Sequence, residues 1–112
     1  MSIISYTLEN KPVIGGIFKL VSEKGIPLST IVEFLHTKNY EIDWLGFYLD
    51  ARKENWTINT IFSRIRESLI DSGYKNKWSE IELRLKVCIG KLHNEGKLNT
   101  FTIEEYYKSK NQ

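Results

Sequence analysis

The stretch WSEIELRLKVCIGKLHNEG, residues 78–96, decides how the fold is read. Ile81, Leu85, Cys88 and Leu92 recur at steps of three and four, the period that lines one face of an α-helix. Ser79 and Glu82 have capping-box spacing, and Trp78 and Leu83 flank them as a hydrophobic staple. Gly96 stops the pattern. The spacing predicts an amphipathic helix that starts at Ser79 and reverses at Gly96. A strand over 97–103, KLNTFTI, and a charged tail over 104–112 follow it.

The same period recurs upstream. Thr57 is placed to cap a helix whose stripe is Ile58, Ile61, Phe62, Ile65 and Leu69, with Trp56 and Ile61 as its staple and Gly73 as its stop. Asp43 is placed to cap another, between Ile42 and Phe47. Its Trp44, Leu45, Tyr48 and Leu49 make a broad apolar face, and Asn55 takes the turn that ends it. Pro27 opens a helix carrying Leu28, Ile31, Val32 and Leu35. Val13, Ile14, Ile17, Phe18, Leu20 and Val21 also fall on helical spacing before Gly25, although Gly15 and Gly16 inside that stretch each cost about 1 kcal/mol against alanine. Residues 2–8, SIISYTL, are β-branched and aromatic and read as a strand.

The predicted fold is therefore mainly α: a compact bundle of about five helices with one or two short strands. It forms a single domain over 1–112, with the first strand and two helices in 1–42. Composition agrees. Of 112 residues, 41% are hydrophobic and 27% charged, which places the chain among globular proteins and away from disordered ones. Cys88 is the single cysteine, which excludes an intramolecular disulfide and a cysteine-based zinc cluster. No apolar run reaches the roughly 20 residues of a membrane span, and MSIISYTLENK lacks the basic and apolar regions of a secretory signal. The expected location is cytoplasmic, with no membrane partner.

Charge is unevenly placed. Residues 1–50 hold four Lys against six Asp/Glu, whereas residues 51–112 hold twelve Lys/Arg against eight Asp/Glu. A basic half beside an acidic half suits a nucleic-acid reader, and equally suits ordinary solvated helix surfaces.

The segment from Leu92 to Leu98, followed by Asn99–Ile103, takes a helix into a glycine turn and then starts a strand on an apolar residue. This resembles the junction between the third helix and the wing strand of winged helix-turn-helix domains, a resemblance confined to residues 43–103. Ala51, Asn55 and Ile61 have the spacing of the small, turn and buried aliphatic residues of a helix-turn-helix unit, while Asp50 and Arg64 stand where that unit has apolar residues. The resemblance implies a small non-enzymatic regulatory or accessory protein that binds duplex DNA, with the last helix entering the major groove. Arg84 and Lys91 would share its reading face, with Lys86 to one side and Lys77 just before the cap. Asn59, Ser63 and Arg66 project from the preceding helix opposite its apolar stripe, with Arg64 flanking. Arginine and asparagine suit base edges and lysine suits phosphates, whereas Glu80 and Glu82 oppose that role by charge.

The second expectation is a protein partner. Trp44, Phe47 and Tyr48 make a face broader than a helix packed on one side requires, and aromatics concentrate at binding hot spots. Such a protein would be an inhibitor or immunity-type module that blocks a toxin or host factor, and a homodimer is a further option. Its Lys-, Asn- and Ile-rich composition points to a phage or another mobile element. Catalysis, a metal and a cofactor are not expected. His36 and His93 lack metal-ligand spacing, Gly15-Gly16 lacks a phosphate-loop frame, and Cys88 and His93 point in different directions from one helix.

Overall fold

A computed structural model describes residues 1–94 of the chain. The elements run β1 (Ser2–Tyr6), β2 (Pro12–Gly15), α1 (Ile17–Ser22), α2 (Leu28–Thr37), β3 (Glu41–Ile42), α3 (Trp44–Lys53), α4 (Ile58–Asp71) and α5 (Trp78–Asn94). A 3-10 turn, Lys75–Lys77, leads into α5. The protein is mainly α with a small sheet, in the order β1-β2-β3. The Gly96 turn, the strand over 97–103 and the tail over 104–112 lie outside the described residues. No described helix is long and apolar enough to cross a membrane.

Three helices end in one way. Asn39, Asn55 and Gly73 take left-handed φ values of 61, 66 and 87° after α2, α3 and α4. The next residues, Tyr40, Trp56 and Tyr74, then donate their N–H groups back to Leu35, Ala51 and Leu69 at 2.9, 3.0 and 2.7 Å. This is the Schellman closure, in which the residue past the left-handed one bonds a carbonyl five positions back. Each of those three aromatics lies partly buried against the core. One dipeptide pattern thus stops the helix and seats a ring over its last turn.

Helix starts are equally local. Asp43 accepts from the Gly46 N–H at 2.9 Å, and Thr57 accepts from the Thr60 N–H at 3.1 Å. Each satisfies one amide that has no partner within the helix. Asp43 is only 4% exposed. Its own N–H donates to Ile14 C=O at 3.0 Å, tying the start of α3 to β2. Burial pushes its carboxyl up to about 7, the Gly46 N–H opposes that shift, and the nearby Asp50 adds to it.

The helix expected over Val13–Val21 is divided. Val13 and Ile14 belong to β2, paired antiparallel with β1 and parallel with β3. Gly16 has φ 78°, which a right-handed helix cannot hold, so α1 begins only at Ile17. At Gly15 an added Cβ would lie 2.9 Å from Ile4 Cγ2, so the glycine admits the strand beside it. The third strand, β3, escaped the sequence reading.

The start of α5 also differs from expectation. The helix runs on from the 3-10 turn at Trp78, so Ser79 lies inside it and no capping box forms. Glu82 pairs with Lys86 at 3.7 Å instead, and Leu83 is 65% exposed rather than stapled to Trp78. Ser79→Ala is therefore expected to change stability by less than about 0.5 kcal/mol. A urea midpoint displaced well beyond that would show that the serine caps the helix after all.

The core gathers residues from both the sheet and the helices: Val13, Ile17, Val32, Leu35, Ala51, Ile61, Ile65, Leu69, Leu85 and Leu92 are at most 1% exposed. Ala51 and Ile61 are buried on either side of the Asn55 turn, so α3 and α4 meet through the short connection their spacing described. The helix α3 is central. Phe47 meets Phe18 edge-on at 5.7 Å and Trp44 at 5.9 Å, while Tyr48 meets Phe62 of α4 at 6.4 Å.

Candidate functional site on the fifth helix

Residues of α5 divide among three sides at 100° per residue. Leu85 and Leu92, each 1% exposed, anchor the inner side. One flank faces α4 across a groove with Phe62, Trp78 and Ile89 in its wall and Asn59, Ser63, Arg66, Glu82 and Lys86 at its rim. Phe62 and Trp78 pack edge-on at 6.0 Å, closing the floor of that groove against the core. The other flank carries Arg84 and Glu80 into a second pocket, where they join Lys77 and His36.

The outward side is apolar. Leu83 and Val87, one turn apart, are 65% and 60% exposed. Ion pairs border them on both flanks, Glu80 with Arg84 and Glu82 with Lys86, each at i,i+4 spacing. Such exposed pairs contribute little to stability, about 0.3–0.5 kcal/mol. Their consequence here is electrostatic: two of the bases predicted to face DNA already have a carboxylate partner on their own helix.

The eight residues expected to contact nucleic acid are thus dispersed. Asn59, Ser63, Arg66 and Lys86 share the α4–α5 groove. Lys77 and Arg84 line the pocket on the far flank of α5. Lys91 is exposed on α5, seven residues from Arg84 and so on the same flank. Arg64 leaves the set: its guanidinium lies 5.6 Å from the Trp56 ring, beside α1 and α2, where it lines a third cleft with Val21 and Pro27. Arg64, Arg66 and Arg84 consequently occupy three different surfaces.

Trp44, Phe47 and Tyr48, expected as a docking face, are 8%, 2% and 2% exposed. They are core side chains and do not form an exposed docking face. The breadth of their apolar face reflects the central place of α3, which is packed by α1 on one side and α4 and α5 on the others.

His36 was set aside in the sequence as a lone histidine. It sits in the last turn of α2, tilted against the Tyr74 ring at 4.5 Å, and its Nε2 is buried without a hydrogen-bond partner among the described residues. An unsatisfied buried polar atom costs about 1–3 kcal/mol. Burial pushes the imidazole below its usual range; Lys77 and Lys11 push the same way, against Glu41 and a backbone hydrogen bond at Tyr40. Among the described residues, no group of three or more His, Cys, Asp or Glu side chains is arranged to hold a metal ion.

No protein-family model matches the chain, and no curated protein or solved structure is significantly similar to it.

Proposed function

We propose that the protein is a non-enzymatic binding module that docks another protein through the outward face of α5, as an inhibitor or immunity-type protein does. The observation that carries this reading is the exposed pair Leu83 and Val87 between two self-contained ion pairs. A helix that enters a DNA groove needs unpaired bases at the centre of its outer face. Here the centre is apolar, and of the bases on α5 beside it only Lys91 has no carboxylate partner among the described residues. That pattern complements a protein surface with an apolar strip bordered by charges of both signs.

The test separates the two partner classes. Leu83→Gln and Val87→Gln together remove the apolar anchors, keep helix-forming side chains and leave the net charge unchanged. Stability should shift by no more than about 0.5 kcal/mol per site, because both residues are exposed. A photocrosslinker at position 87 identifies the partner in cells, and the purified pair is then titrated. The double variant should bind at least about 30-fold more weakly, the equivalent of one hot-spot residue. Fluorescence anisotropy with duplex DNA at low salt forms the second arm. Salt-sensitive DNA binding that survives the double variant, and disappears when Arg66, Arg84, Lys86 and Lys91 are neutralised, would overturn the protein-docking reading in favour of a DNA reader.

A further inference from the structure

We infer that the pocket beside His36 is a binding site for a small zwitterion, an α-amino acid with an apolar side chain. The pocket encloses about 260 Å³ between the β1–β2 turn, the end of α2, β3 and the inner flank of α5. That volume is below the roughly 300–1,000 Å³ typical of drug-sized ligands and suits a smaller molecule.

Three bases and three carboxylates line it: Lys11, Lys77 and Arg84 against Glu9, Glu41 and Glu80. Four of these cancel in pairs. Lys11 meets Glu9 at 3.4 Å, and Arg84 pairs with Glu80 along α5. Lys77 and Glu41 enter no ion pair with any described residue, although the Lys77 ammonium lies 5.8 Å from the centre of the Tyr74 ring. One cation and one anion without an ion-pair partner therefore border the same cavity, and both act electrostatically on His36. A ligand of single charge would satisfy one and be repelled by the other. A molecule carrying a carboxylate and an ammonium satisfies both, the first at Lys77 and the second at Glu41.

The inner wall is different in kind. Ile42, Trp44, Ile81 and Leu85 back the cavity, and Ile81, the one of the four that is only partly buried, gives an apolar side chain a surface to cover. His36 lines the same cavity and so reports on its occupancy, although its Nε2 is itself buried from solvent. The pocket lies on the flank of α5 away from the α4 groove and does not rest on the docking reading.

The site is tested by following the side-chain resonances of His36 by NMR, with the exposed His93 as an internal control. The probes are the twenty standard L-amino acids, with 4-methylpentanoate and 3-methylbutylamine as analogues of leucine that keep only one of its two charged groups. The expected result is a saturable shift of His36 and not of His93 on adding apolar amino acids, with a Kd of about 1 mM or tighter. Each one-charge analogue should bind at least about tenfold more weakly. Lys77→Gln and Glu41→Gln, both at partly exposed positions, should each weaken leucine binding by at least about tenfold with an unchanged circular dichroism spectrum. Absence of any His36 shift across the amino acids would overturn the inference. So would analogues that bind as well as leucine, or folded variants that bind like the wild type.

Discussion

Leu85→Ala and Ile65→Ala are each expected to destabilise the protein by about 2–5 kcal/mol, the range for emptying a buried aliphatic site in a close-packed core. The two side chains are 1% and 0% exposed and stand on α5 and α4, the two longest helices. Leu85 also backs the His36 pocket, so its loss opens space on the cavity side as well as in the core. Urea denaturation with an unchanged slope measures the effect. A loss below about 1 kcal/mol at either site would mean that its helix does not bear on the core as described.

Stability should also depend on pH through Asp43. Its carboxyl titrates at about 7 in the folded protein, against 3.8 for the ordinary group. Between those values the folded chain keeps a proton that the unfolded chain has lost. The slope of stability with pH follows the protons bound in the unfolded state minus those in the native state, so it is negative across this window. The Asp43 contribution is greatest below 3.8, falls as pH rises to about 7, and is level above. The span of about three units corresponds to roughly 4 kcal/mol as an upper bound. His36 works the other way: its lowered pKa removes stability as pH falls through 6.5. Asp43→Asn isolates the first effect, because it keeps an oxygen for the Gly46 N–H and cannot ionise. The variant should gain on the wild type steadily between pH about 4 and pH about 7. A difference that stays constant across that interval would show that Asp43 is ionised throughout.

The parts of this fold that were legible are those in which the chain repeats a physical requirement at fixed spacing. Ile31, Val32 and Leu35, or Ile61, Ile65 and Leu69, must all turn inward, and the helical period makes that visible. The caps at Asp43 and Thr57 were legible because a short polar side chain before an apolar stripe has one favourable use. At Ser79 the same logic misled. The preceding Lys75–Lys77 turn is already helical enough to run directly into α5, so the serine never takes a capping conformation. The two residues of β3 are too few to show any period, and their pairing depends on β2, far away in the chain.

The functional surfaces were harder to read for a related reason. A broad aromatic face is demanded alike by a central helix and by a docking helix, so Trp44, Phe47 and Tyr48 could not be told apart by spacing. Leu83 was read as a staple partner and Val87 was not singled out, because a helix pattern says which residues turn inward and not which others are left bare. The His36 pocket draws on residues from Thr7 to Leu85. Chemistry assembled across that distance leaves no local motif.

The start of α3 constrains how this chain can change over generations. A methyl group on residue 46 would fall on the Asp43 carboxylate, which occupies the space that glycine leaves open. Position 46 is therefore closed to other residues for as long as position 43 carries its present side chain in this rotamer. A substitution at 43 that vacates the space lifts that barrier, and once a side chain has settled at 46 the aspartate cannot return to its seat. The two positions are therefore coupled: what residue 46 can be depends on what stands at 43 and on where that side chain points.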